Sequence, residues 1–95
     1  MKKIRAIIDI IEEGDLGKDG FSGMRPSFNL NGEPITSEVV SAVGCQVLDK
    51  GARHEVIIAL PYGEVLGDHL GASAKFRLQV GGRLLATGTI LSVVE

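Results

Sequence analysis

The chain has 95 residues, enough for one domain and too few for a multi-domain enzyme. Apolar residues make up 44% and charged residues 23%, so a folded core is expected rather than a disordered chain. Ten Lys plus Arg against twelve Asp plus Glu leave a net charge of -2, which argues against a protein that grips a phosphate backbone by counterion release.

A lone Cys45 cannot form a disulfide within the chain, whereas small secreted domains usually carry several, so a reducing, cytoplasmic setting is expected. Met1-Lys2-Lys3 could open a signal peptide, but Arg5 and Asp9 interrupt the stretch from Ile4 to Ile11. No run of about 18 apolar residues exists either, so no membrane association is expected.

Lys3 to Ile11 alternates as a strand, with Ile4, Ala6, Ile8 and Ile10 on one face. Asp9 among these isoleucines reads as an outward-facing solubility device; facing inward, it would need a partner such as an arginine. Glu12 to Gly23 is a long loop with glycines at every third position, Gly14 to Gly23, and with acidic Glu12, Glu13, Asp15 and Asp19 around Lys18. Arg25 to Asn31 alternates again, placing Pro26, Phe28 and Leu30 together, and Asn31-Gly32 suits the positive φ angles of a tight turn. A β-rich run from Ile35 to Val43 follows.

Asp49-Lys50-Gly51 turns the chain into a strand over His54 to Leu60, with Val56, Ile58 and Leu60 on one side. Tyr62, Val65, Leu66, His69 and Leu70 have helical spacing, but Gly63, Gly67 and Gly71 lie between them, so a loop with at most one helical turn is expected. Lys75 to Val80 sets Phe76, Leu78 and Val80 opposite Lys75, Arg77 and Gln79. Gly81-Gly82 closes a hairpin onto Arg83 to Val94, where Gly88 suggests a bulge or bend. The pattern predicts an all-β domain of six antiparallel strands, and closure into a barrel would remove its edges.

The block Phe21-Ser22-Gly23-Met24-Arg25-Pro26-Ser27-Phe28, followed by Lys75-Phe76-Arg77-Leu78-Gln79-Val80-Gly81-Gly82-Arg83 and then Gly88, resembles the C-terminal β-barrel domain of elongation factor Tu and related translation GTPases. The likeness runs from Lys3 to Glu95. Met24 stands where that family has tyrosine, Gln79-Val80 replaces a charged pair, and Ala86 replaces a glycine. The resemblance implies a closed six-stranded antiparallel barrel standing alone as one domain over residues 1–95. It also implies a missing partner: no G-x-x-x-x-G-K-[ST] loop is present, and without that cradle a triphosphate has no site. No GTPase activity, cofactor or enzymatic role is expected.

In that family the barrel helps hold the T-stem of aminoacyl-tRNA and packs on the nucleotide domain, which makes Arg25 and Arg83 candidate contact residues; as residues alone they read first as solvated ion-pair partners at a strand end and beside a turn. The acidic loop Glu12 to Gly23 occupies a position where the family presents basic and polar groups to RNA, so tRNA is disfavoured. Phe28 and Phe76 read as core, whereas Phe21, in a polar loop, either pins that loop or is exposed for a partner. Cys45 reads as a small buried hydrophobe rather than a nucleophile, although the sequence leaves a Cys45–His54 dyad open; a metal site from Cys45, His54 and His69 lacks the close paired spacing of structural zinc.

The expected function is therefore a non-catalytic protein-binding module, in one version a decoy, immunity or regulatory protein that competes with the elongation factor for a toxin or regulator. Expected contact residues are Phe21, Met24, Arg25, Tyr62, His69 and Arg83. A second reading is a translation-associated module that contacts aminoacyl-tRNA beside a separately encoded GTPase.

Overall fold

The structure is a computed structural model that describes residues 1–11 and 19–94; positions 12–18 of the expected glycine-rich loop lie outside the described residues. β1 (Lys2–Ile10) runs through the middle of the sheet. Its alternation buries Ile4, Ala6, Ile8 and Ile10 to 2% exposure or less, because successive strand side chains point to opposite faces. The other strands are β2 (Gly20–Phe21), β3 (Ser27–Leu30), β4 (Glu33–Thr36), β5 (Glu38–Ser41), β6 (Val47–Leu48), β7 (Arg53–Leu60), β8 (Lys75–Val80) and β9 (Arg83–Val93). Seven of them form one antiparallel sheet in the order β4-β3-β8-β9-β1-β7-β5, and β2 pairs with β6 in a separate ribbon.

The expected single strand over Ile35 to Val43 is divided. β4 pairs with β3 at one edge, and β5 pairs with β7 at the other. Only Ser37 separates them, and two Cα–Cα steps span at most about 7 Å, so the two edges must approach and the sheet must curl. The Ser37 hydroxyl, buried at this corner, donates to the Pro26 carbonyl at 2.7 Å. Ahead of β3, Met24 forms a bridge with Val39 of β5: the Gly23 N–H donates to the Val39 carbonyl at 2.7 Å, and the Val39 N–H to the Met24 carbonyl at 2.9 Å. The result is a curled half-barrel whose concave side holds one core.

Both two-residue hairpins form where the sequence places them. Asn31 and Gly32 join β3 to β4 with φ of 54° and 79°, and Gly81 and Gly82 join β8 to β9 with 58° and 79°; positive φ at both central positions is what such turns require. Elsewhere the structure corrects the sequence. Among the described residues nine strands replace six: one expected strand divides into β4 and β5, and β2 and β6 are two-residue pairings too short to leave a periodic signal. Gly63–His69 holds two short 3-10 turns interrupted at Gly67, whose φ of 51° and ψ of -126° are non-helical, where one turn at most is expected. Gly88 marks no bulge and pairs regularly with Phe76 and Ile8. The bulges fall at Leu85 and Leu91, the extra residues where the register shifts. The first leaves Leu85 and Ala86 both buried; Val80, at the hairpin end of β8 opposite Arg83, is 40% exposed.

Phe28 and Phe76 stack at the centre of the core, their ring centroids 4.6 Å apart. Asp9 faces outward and pairs with Arg53 of β7 at 3.0 Å. Cys45 is exposed, not buried: it lies beyond the end of β5, after Gly44 with φ of 82°, and its N–H is held by the Ser41 hydroxyl at 3.1 Å. Among the described residues no helix is long and apolar enough to cross a membrane.

Candidate functional site

Phe21 stands opposite Val47 in the β2–β6 ribbon. Their side chains are 57% and 52% exposed, a solvent-facing apolar pair in a place where the backbone is fixed. Ser22 N–H donates to the Gln46 carbonyl at 2.9 Å, and the Ser22 hydroxyl accepts the Ser41 N–H at 3.0 Å. Together with the Met24–Val39 bridge, these bonds anchor the turn that presents the Phe21 ring. An exposed aromatic on a pinned turn loses little entropy on binding.

Beside it lies a hollow of about 170 Å³ lined by Phe21, Met24, Arg25, Pro26, Val80 and Leu85, with Asp19 also contributing. That volume is below the roughly 300–1,000 Å³ of small-molecule sites and suits an inserted side chain. Met24 forms a wall rather than a projecting contact: it is 5% exposed, and its Sδ packs 3.0 Å from where a Cβ on Gly20 would sit. Arg25 is exposed and meets Glu38 at 3.6 Å. Arg83 starts β9 directly across from Val80 and is exposed. Phe21, Met24 and Arg25 of the sequence-derived set therefore share one hollow, with Arg83 next to its Val80 wall.

Tyr62 and His69 do not line that hollow. Tyr62 is exposed at the start of the 3-10 helix. His69 accepts at Nδ1 from the Asn31 side-chain amide at 2.9 Å, tying the helix to the β3–β4 turn. His54 Nε2 approaches the Asp49 carbonyl at 3.0 Å. Among the described residues no group of three His, Cys, Asp or Glu is placed to hold a metal ion.

A second surface was not identified from the sequence. On the convex face, cross-strand pairing lines up Asn29 of β3, Arg77 of β8, Thr87 of β9, Asp9 of β1 and Arg53 of β7 in one row. Lys75 and Thr89 pair in the next row. These residues line an open groove of about 690 Å³. Asp9, through its hydrogen bond and its charge, raises the pKa of the Arg53 guanidinium. The alternation of Lys75 and Arg77 was visible in the sequence; the register that sets them beside Thr87 and Thr89 was not. No protein-family model matches the chain.

Proposed function

We propose that the chain is a non-catalytic protein-binding module related to the C-terminal barrel of elongation factor Tu, working in the cytoplasm. In this reading β3, β8, β9, β1, β7 and β5 form the six-stranded closed barrel, with the Met24–Val39 bridge as its seam. The resemblance to that family rests on the sequence blocks around Arg25 and Arg83, without a nucleotide-binding loop. A decoy, immunity or regulatory role, in which the module occupies a surface meant for the elongation factor, is the version this composition fits best.

The observation that carries the reading is the Phe21–Val47 pair beside the Met24, Pro26, Val80 and Leu85 hollow. Aromatic anchors next to a pocket dominate many protein interfaces. Affinity capture from native cytoplasm, comparing the wild type with Phe21→Ser, tests it: a partner retained by the wild type and lost from the variant is the expected result. Equal recovery on both baits would remove the site. The tRNA reading is decided by filter binding at low salt, where electrostatic attraction is greatest; saturable tRNA binding there would replace the protein-binding proposal.

A further inference from the structure

Lys75 and Arg77 lie on the same outward face of β8, both exposed, and neither has an ion pair or hydrogen bond among the described residues. The other cation of the groove, Arg53, is already engaged by Asp9. Two cations two residues apart on a strand are separated by about 6.8 Å. An extended polypeptide with acidic residues at alternate positions repeats its carboxylates at that same spacing. Across the strand boundary Thr89 stands opposite Lys75 and Thr87 opposite Arg77, so each cation has a hydroxyl beside it that can hydrogen-bond a carboxylate or a peptide group.

We infer that this groove binds an extended acidic segment of a protein partner, with carboxylates two residues apart seated on Lys75 and Arg77. In a protein of net charge -2, two cations with no ion pair among the described residues present a local attraction which the overall charge does not. Acidic polypeptide fits better than nucleic acid. Phe76, the only aromatic at the groove, is buried and stacked on Phe28, so no ring is offered to a base. The Asp9 carboxylate also lies in the groove but is paired with Arg53, so the attraction rests on the two β8 cations. Asn29 is not spare, because its amide donates towards Gln79 and its carbonyl accepts the Gly32 N–H; the selectivity therefore rests on the β8 pair.

The inference deepens the protein-binding reading by naming the chemistry of a contact on a different face from the Phe21 hollow. Its test is fluorescence anisotropy with a labelled Glu-Val-Glu-Val-Glu peptide and the full chain. Expected are saturable binding that weakens with salt, a loss of about tenfold or more on Lys75→Gln/Arg77→Gln, and no change on Lys2→Gln/Lys50→Gln, which removes two positive charges elsewhere. Unfolding curves matching the wild type show that the groove variants are folded. The peptide Glu-Glu-Val-Val-Glu, of the same composition but with no two glutamates two residues apart, should bind more weakly; equal binding would overturn the inference, as would tighter binding of a single-stranded oligoribonucleotide or full retention by the double variant. Phe21-dependent capture that persists when peptide binding fails would leave the first reading standing and remove only this one.

Discussion

The ring of Phe76 fills the space a side chain on Gly88 would need: a Cβ there would lie 2.4 Å from the Phe76 Cζ. Both residues are buried, and they pair directly between β8 and β9. Gly88 is thus required by packing and not by backbone conformation. Gly88→Ala should destabilise the domain by about 1–3 kcal/mol, as overpacked cores do, lowering Tm by roughly 4–8 °C per kcal/mol in a domain of this size. Thermal unfolding followed by circular dichroism measures it. Adding Phe76→Leu to Gly88→Ala should recover part of the loss; no recovery would show that the ring is not the obstruction.

Met24 and Phe21 line the same hollow but bear differently on stability. Truncating buried Met24 to alanine should cost about 2–5 kcal/mol, whereas Phe21→Ser, at an exposed position, should stay within about 0.5 kcal/mol of the wild type. If Met24→Ala fails to fold, Met24→Leu keeps the volume and should cost less than about 1.5 kcal/mol. Urea midpoints for the three variants decide the order, and a large loss for Phe21→Ser would mean that its ring pins the turn instead of facing a partner.

How much of this was legible in the sequence follows from which signals are local. The alternation of Ile4, Ala6, Ile8 and Ile10 and of Val56, Ile58 and Leu60 reports burial directly, because a one-residue slip would turn these residues outward. The turn at Asn31-Gly32 is equally local. The division at Ser37 is not: Ile35 to Val43 has continuous β propensity, and only the meeting of opposite sheet edges forces a corner there. Cys45 was misplaced because its composition reads as core while its position, beyond the end of β5, is decided by where that strand stops. Of the candidate site, the solvent-facing Phe21 was readable from its polar neighbours, but Val47, Val80 and Leu85 enter through pairing and a bulge that sequence spacing does not encode.

Glu64 provides a pH-dependent contact. The N-terminal ammonium donates to its carboxylate at 2.5 Å, and this hydrogen bond, more than the backbone hydrogen bond and the nearby charges of the ammonium and Lys2, lowers the carboxyl pKa. A folded-state pKa below the unfolded one means that the contact stabilises above the unfolded pKa and that its contribution is lost as pH falls through the folded value. The carboxyl resonance of Glu64 in an NMR titration should therefore move at lower pH than in the unfolded chain, and Nα-acetylation should return it towards the ordinary range. The wild type should exceed Glu64→Gln in stability at neutral pH, and the difference should close in acid. A titration unchanged by acetylation would assign the shift to Lys2 and the backbone.

Cys45 should be modified in the native state. It is exposed, it follows the positive-φ Gly44, and its own N–H is tied to the Ser41 hydroxyl, so a reagent can reach the thiol without any strand opening. Ellman's reagent should titrate one thiol per chain without denaturant and at a rate close to that in urea, since exposure rather than unfolding controls access. Cys45→Ser should leave the unfolding midpoint within about 0.5 kcal/mol of the wild type. Protection in the native chain, released only by urea, would instead place this thiol inside the core and restore the reading that composition alone suggests.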